Sequence, residues 1–204
     1  MLEHLELIDY DEISVEEATE TLTALGKLHN LRCLHFGTTK WEVRHLVPTV
    51  FENGRLQKLQ QLQLSYIVEE KTVCAVAELC PDLQELGLLR YCLGGKAMSY
   101  IAKLPALNAL EFSDIKFYKL KPSVKCILEM SELRRLFLRE CICWAIPFDK
   151  FPGRLVNLRE LEIDYCDGDQ DALDRISAQM PDLRVKGTLG ALITDDSYEE
   201  GDYE

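Results

Sequence analysis

Basic residues are scarce in this chain relative to acidic ones. Its 204 residues include 23 lysines and arginines against 35 aspartates and glutamates, which gives a formal net charge of −12 at neutral pH. Nucleic acids and anionic lipid surfaces bind dense clusters of positive charge, so this composition argues against both as partners. Part of the acidic excess is concentrated near the C-terminus, at Asp195, Asp196, Glu199, Glu200, Asp202 and Glu204. The rest of the chain is therefore only mildly acidic.

Long apolar runs are also missing from the sequence. No stretch approaches the roughly 18 to 20 consecutive apolar residues that span a bilayer, so no membrane segment is predicted. No signal peptide precedes the first strand pattern. The eight cysteines are therefore interpreted as reduced thiols rather than as a disulfide framework. Together these features predict a cytoplasmic or nuclear protein, in a reducing compartment.

Motifs for catalysis and for metal or phosphate binding are absent as well. The four histidines form no HExxH pattern. Cys141 and Cys143 lack the second cysteine pair of a zinc site. The run Gly94-Gly95-Lys96 lacks the leading glycine of a phosphate-binding loop. The sequence therefore predicts a protein that is not an enzyme, with no catalytic residue, cofactor or metal.

What the sequence does contain is a recurring aliphatic triplet with the pattern L-x-x-L-x-L. The copy at Leu83, Leu86 and Leu88 is followed by a turn and a helix-like segment. Further copies begin at Leu2, Leu31, Leu59, Leu107, Leu133 and Leu158. Successive copies lie between 24 residues apart (Leu59 to Leu83) and 29 apart (Leu2 to Leu31), which suits one strand and one short helix each. A single unit cannot bury its apolar face, so the copies are expected to stack.

Helices are expected between the triplets, at residues 15–25, 71–79, 96–104, 124–130 and 171–180. Two segments depart from this plan because they contain proline. Pro48 is expected to divide residues 43–51 into two short helical pieces. Pro147 and Pro152 predict an irregular or 3₁₀ connector between residues 141 and 155.

The ends of the repeat array can be placed from the same pattern. At Leu183 the triplet fails, because Val185 and Lys186 follow where a leucine is required, so stacking is expected to end there. Residues 187–193 are expected to add a final short strand. Residues 1–193 are thus interpreted as one domain of about seven to eight repeats, and residues 194–204 as a disordered acidic tail. Because no polar cap precedes the first strand, the chain is expected to be a fragment of a longer one.

The triplets resemble the leucine-rich repeat family over residues 2–185. This resemblance implies an α/β solenoid with a curved parallel sheet and short helices on its convex side. The segments LCPDLQEL and QMPDLRV are similar to the cysteine-containing, ribonuclease-inhibitor-like class found in F-box substrate receptors and in intracellular innate immune sensors. The resemblance also implies that Cys141 and Cys166 turn inward and bond backbone groups of a neighbouring repeat, whereas Cys92 falls one residue late.

This family resemblance suggests a function in protein recognition. It implies a noncatalytic domain that binds a protein partner on the concave sheet. The alternatives are the substrate receptor of an F-box ubiquitin ligase, the ligand-sensing repeats of an innate immune receptor, and a purely structural spacer. The chain contains neither an F-box nor a nucleotide-binding loop, so the sequence leaves these alternatives open.

Strand alternation predicts which side chains face a partner, because every second residue points away from the core. The candidate partner-binding residues are His35, Gln63, Leu89, Glu111, Arg135, Phe137, Arg139, Glu162 and Asp164. Phe137 stands out in this set, since an exposed aromatic residue between arginines has the composition of an interface hot spot. The competing interpretation is that residues 144–151 cover Phe137.

The two arginines beside Phe137 have a structural interpretation as well. Adjacent strands share a register about 4.8 Å apart, so Arg135 is expected beside Glu160 and Arg139 beside Asp164. Cross-strand ion pairs at these positions would satisfy the charges without any ligand. Such surface pairs contribute only about 0 to 1 kcal/mol.

Overall fold

The computed structural model describes residues 2–9, 14–38, 41–52, 56–66, 69–90, 95–121 and 123–190. Within them the strands are β1 (His4–Asp9), β2 (Cys33–Thr38), β3 (Gln61–Ser65), β4 (Glu85–Leu89), β5 (Ala109–Ser113), β6 (Arg135–Arg139), β7 (Glu160–Asp164), β8 (Cys166–Asp167), β9 (Arg184–Lys186) and β10 (Leu189–Gly190). Strands β1 to β7 and β9 form an eight-stranded parallel sheet in chain order. Cys92 and the acidic tail lie outside the described residues.

The leucine triplets are the reason for this order, and they set its register. Equivalent leucines are direct partners on successive strands: Leu34, Leu62, Leu86, Leu110, Leu136 and Leu161. Each of these side chains is buried in one continuous apolar core. A one-residue slip would turn the whole set toward solvent, so burial fixes the register strongly. The predicted fold class, a leucine-rich repeat solenoid with a parallel sheet and short helices, is confirmed.

Helical segments connect the strands and cover one face of the sheet. The α-helices are α1 (Val15–Leu25), α2 (Val47–Glu52), α3 (Glu70–Leu79), α4 (Ala97–Ile101) and α5 (Gln170–Gln179). Helix α1 begins at a capping box, in which the Glu17 N–H donates to Ser14 Oγ and the Ser14 N–H donates to Glu17 Oε2. Helices α1, α3 and α5 confirm the predicted positions within a residue, and α4 is shorter than predicted.

One predicted helix has a different type. Residues 124–130 were expected to be α-helical, but Ser123–Glu129 is a 3₁₀ helix. Its buried residues Val124 and Ile127, together with Met130 just after it, recur every three positions. A 3₁₀ helix has three residues per turn, so it places these side chains directly above one another on the core side.

Both proline predictions are confirmed. Trp41–Leu46 forms a 3₁₀ helix and α2 follows it directly, with Pro48 in its first turn, where a missing N–H breaks no helical hydrogen bond. In the connector after β6, regular structure is limited to the short 3₁₀ helix Phe148–Lys150.

Stacking continues beyond Leu183, which corrects the expectation that it ends there. Strand β9 pairs with β7, and Val185 takes the place of the missing leucine opposite Leu161. Gly187 then turns the chain with φ +87°, at a point where a Cβ would lie 1.7 Å from the Ile163 carbonyl oxygen. No other residue type fits there. The chain returns as β10, which pairs with β8 and confirms the short strand predicted in residues 187–193.

Strands β3 to β7 are each followed by a residue with positive φ that is not glycine. They are Tyr66, Arg90, Asp114, Glu140 and Tyr165. Such a residue normally costs about 1 kcal/mol or more. In the first four, a backbone bond to the next repeat compensates: the Arg90 N–H, for example, donates to the Ser113 carbonyl at 2.8 Å. The turn is therefore part of the repeat stacking and marks the C-terminal ends of the strands.

Candidate protein-binding face

The face of the sheet that carries no helices presents the alternate residues of every strand. One row of direct neighbours runs along its middle: His35, Gln63, Gly87, Glu111, Phe137, Glu162 and Lys186. All nine predicted partner-binding residues occupy outward strand positions, and none belongs to the buried core. Their placement on one face agrees with the prediction, and their role in binding stays a prediction.

A shallow depression of about 80 Å³ lies in the middle of this face. Gly87 and Ala109 form part of its floor, with His35 at one end and Phe137 at the other. Gly87 leaves this space open because a Cβ there would lie only 3.2 Å from Gln63 Cγ. Four of the predicted residues line the depression, namely His35, Gln63, Glu111 and Phe137. Leu89, Arg135, Arg139, Glu162 and Asp164 lie outside it.

Phe137 is not covered by the connector that follows its strand, so that interpretation is wrong. Phe148 and Phe151 belong to the buried core, where their ring centroids lie 5.3 Å apart. Trp144 points away from the core and is 49% exposed. Phe137 stays half-buried on the helix-free face, so part of its ring is available for contact.

The arginines beside Phe137 pair with other acids than expected. Register places Arg135 beside Glu160 and Arg139 beside Asp164, as predicted. However, Arg135 Nη2 donates to Glu85 Oε1 at 2.7 Å, two strands away, and Arg139 pairs with Glu111 at 3.6 Å. Arg135 can reach Glu85 because the strand between them carries only the methyl group of Ala109 at that position.

Glu160 has a different cation beside it. Its carboxylate lies 2.8 Å from Lys186 Nζ, which also pairs with Glu162 at 3.3 Å. The hydrogen bond from Lys186 lowers the pKa of Glu160. Since Lys186 comes from β9, the strand absent from the sequence prediction, this pairing could not be anticipated.

Cys141 and Cys166 turn inward, as the family resemblance implied. The Cys141 thiol donates to the Phe112 carbonyl in the preceding repeat at 3.5 Å, and the Cys141 N–H donates to Cys166 Sγ in the following one at 3.3 Å. Cys143 is buried beside them. Contact with the Cys166 sulfur, followed by burial, raises the pKa of both the Cys141 and the Cys143 thiol. The cysteines of the described residues are free thiols.

These thiols are expected to resist alkylation, because the thiolate is the reactive form and the sulfur must be reached. Burial raises the pKa of Cys80 to about 12. With iodoacetamide at pH 8, mass spectrometry should show Cys80, Cys141 and Cys143 labelled only after unfolding in guanidinium. The half-buried Cys33 and Cys126 should label first. Labelling of Cys141 in the native protein as fast as Cys126 would contradict this packing.

Two exposed aromatic side chains lie beyond the C-terminal ends of the strands, and the sequence analysis did not predict that they form a pair. Tyr118 and Trp144 each follow by two residues the bridge partners Lys116 and Ile142, so they occupy equivalent positions in successive repeats. The signal in the sequence is their identical spacing: Tyr118 lies four residues after Asp114, and Trp144 lies four residues after Glu140.

The described residues contain no group of three or more His, Cys, Asp or Glu side chains placed to hold a metal ion. None of their helices is long and apolar enough to cross a membrane.

Comparison with known proteins gives structural similarities only. No family model matches the sequence, and no curated protein matches it. A leucine-rich repeat protein of Leptospira interrogans has 16% identity and a TM-score of 0.42, with 91% of this chain and 60% of that chain covered. An internalin of Listeria monocytogenes has 14% identity and a TM-score of 0.36, with 81% and 63% covered.

A third similar structure is a chain from an octameric complex of Latrophilin 3, Unc5D and the leucine-rich repeat part of FLRT2. It has 16% identity and a TM-score of 0.39, with 77% of this chain and 60% of that chain covered. The chain thus spans less than two thirds of the length of each of these three proteins.

Proposed function

We propose that this chain is a noncatalytic recognition domain that binds a protein partner on the helix-free face of its sheet. The observation that supports this most directly is Phe137, a half-exposed aromatic ring at the end of a depression in the helix-free face. Phenylalanine normally buries its ring, and a ring left open beside a depression can fill it together with a partner side chain.

The charged groups around Phe137 favour the same function. Arg135 and Arg139 are held by Glu85 and Glu111, so their positions are fixed before a partner arrives. Fixed side chains lose less conformational entropy on binding. The Arg135–Glu85 ion pair is also partly exposed, with 39% of each side chain accessible. The carboxylate can therefore still accept a hydrogen bond from a partner, and the guanidinium group can still donate one.

Replacing Phe137 and Arg139 by alanine should weaken partner binding by about thirtyfold or more, because truncation of a central hot spot costs about 2 kcal/mol. Partners are first identified by affinity capture on the wild-type chain with mass spectrometry. The dissociation constant of each purified partner is then measured by isothermal titration calorimetry for both proteins.

The matched control is Tyr118→Ala, which removes another exposed aromatic ring beyond the edge of the sheet. It should leave the dissociation constant unchanged. Equal affinities of the wild type and of the Phe137→Ala/Arg139→Ala variant would refute a binding site on this part of the face.

A narrower identity, as a substrate receptor of a ubiquitin ligase or as the repeats of an immune sensor, is proposed as the alternative. It is favoured by the segments LCPDLQEL and QMPDLRV, on which the resemblance to that class rests, together with the inward cysteines Cys141 and Cys166. The coding sequence upstream of Met1 separates the two: an F-box supports the first and a nucleotide-binding module the second. An upstream frame with neither would reject both.

A further inference from the structure

Three arginines lie at the N-terminal ends of the last three strands of the eight-stranded sheet. Arg134 immediately precedes β6, Arg159 precedes β7, and Arg184 is the first residue of β9. The Arg159 N–H donates to the Arg134 carbonyl and the Arg184 N–H donates to the Arg159 carbonyl, both at 2.8 Å. The three residues therefore lie on neighbouring strands, with Arg184 one position further along its strand, beside Glu160, and their Cα atoms span about 10 Å.

An open cavity of about 540 Å³ lies against these arginines. Its charged lining consists of Arg134, Arg135, Arg159, Arg184, Glu160 and Asp182. We call the site formed by Arg134, Arg159 and Arg184 the arginine pocket. It is much larger than the depression beside Phe137, and it lies at the edge of the sheet rather than at its middle.

The charges of this lining do not cancel one another. Arg135 is paired with Glu85, and Glu160 is paired with Lys186. Arg159 donates to the Val156 and Leu158 carbonyls, which orients its guanidinium without neutralising the charge.

Three cations therefore remain against one acid. Within the part of the chain that the structure describes, Arg134, Arg159 and Arg184 form no ion pair, and Asp182 is the remaining carboxylate of the lining. Three neighbouring cations repel one another, and this is a cost that a bound anion removes.

We propose that the arginine pocket binds an extended acidic segment of a protein partner. Arginines whose Cα atoms are spread over about 10 Å match a segment that carries several acids. An extended segment places every second side chain on one face, about 6.7 Å apart, so two of its acids can engage these arginines together. Guanidinium groups bind carboxylates through paired hydrogen bonds. A long polyanion such as RNA is disfavoured by the net charge of −12 on the whole chain.

This site is separate from the Phe137 surface and does not depend on the proposed function. Arg135 touches both regions, so it is left unchanged in the test. Loss of acidic-segment binding with intact binding at Phe137, or the reverse, distinguishes the two proposals.

The test uses the full-length chain and a fluorescein-labelled hexa-aspartate peptide, with hexa-asparagine as the uncharged probe, in fluorescence anisotropy at 50 mM salt. Arg134→Gln/Arg159→Gln/Arg184→Gln should bind hexa-aspartate at least about tenfold more weakly than the wild type, because each exposed pair contributes up to about a fivefold change. Arg32→Gln/Arg154→Gln/Arg175→Gln removes the same charge elsewhere and should bind within about twofold of the wild type. Circular dichroism checks folding, and Arg184→Gln alone replaces the triple variant if that variant unfolds.

The chain's own acids between residues 195 and 204 can compete with the peptide. A second series therefore carries Asn or Gln at Asp195, Asp196, Glu199, Glu200, Asp202 and Glu204. In this series wild-type arginines should bind hexa-aspartate and not hexa-asparagine. No binding in this series, equal binding by the arginine and control variants, or tighter binding of a single-stranded oligonucleotide of equal charge would each overturn the proposal.

Discussion

Replacing Leu86 by aspartate is expected to lower the free energy of unfolding by at least about 3 kcal/mol. Leu86 is 3% exposed and lies between Leu62 and Leu110 on the neighbouring strands, so the new carboxylate has no solvent and no cation beside it. For a chain of this length the melting temperature should fall by about 6 to 12 °C. Thermal unfolding followed by circular dichroism measures the change.

The control for this substitution is Gln61→Asp on the adjacent strand. Gln61 faces outward and is half-exposed, so the same carboxylate remains hydrated there. It should change the stability by no more than about 0.5 kcal/mol. Equal melting temperatures of the Leu86→Asp and Gln61→Asp variants would show that the two faces of the sheet are assigned wrongly.

Replacing Phe112 by alanine is expected to cost about 3 to 5 kcal/mol. Its side chain is fully buried, and its ring meets that of Phe117 edge to face at 5.1 Å between centroids. Phe117 begins the 3₁₀ helix after β5, so the pair joins a strand to the connector that covers it. Truncation leaves a cavity in the middle of the repeat stack, and urea unfolding should give a lower midpoint with a similar slope.

Phe137→Ala is a matched control for this effect, since it removes the same ring from the opposite face of the next strand. Phe137 is half-exposed, and its loss should cost less than about 1 kcal/mol. A stability loss for Phe137→Ala as large as that for Phe112→Ala would mean that Phe137 belongs to the core. In that case it would not be available to a partner.

The sequence predicts the repeat architecture well because one strong physical demand controls it. Each aliphatic triplet has to be buried, and the alternation of a strand allows only one register that buries all of them. The helix positions and the two proline interruptions follow from equally local rules. The type of the Ser123–Glu129 helix was wrong, although the three-residue spacing of Val124, Ile127 and Met130 indicates it.

The site was less predictable, because its details depend on contacts between repeats. The placement of Phe137 and its neighbours on one face follows from alternation alone. The pairing of Arg135 with Glu85 depends on the small side chain of Ala109 between them, which a rule for adjacent strands does not include. Strand β9 carries Val185 in place of leucine, and its Lys186 pairs with Glu160, the acid expected for Arg135.

The arginines of the arginine pocket recur periodically in the sequence, but the stronger leucine pattern obscured this recurrence. Arg134, Arg159 and Arg184 recur at intervals of 25 residues, from 134 to 159 and from 159 to 184. The register offset is 25 residues between β6 and β7 and 24 between β7 and β9, so Arg159 lies beside Arg134, and Arg184 lies on the next strand beside Glu160. Periodicity in charged residues is therefore as informative here as periodicity in leucines.

The most direct measurement of the fold on which both binding proposals rest is the network of nuclear Overhauser contacts between backbone protons of adjacent strands. The residues to follow are the buried partners Leu62, Leu86, Leu110, Leu136 and Leu161. In the parallel stack each should contact only the one before it and the one after it, in chain order. Contacts in antiparallel register, or between Leu62 and Leu136 directly, would contradict the account.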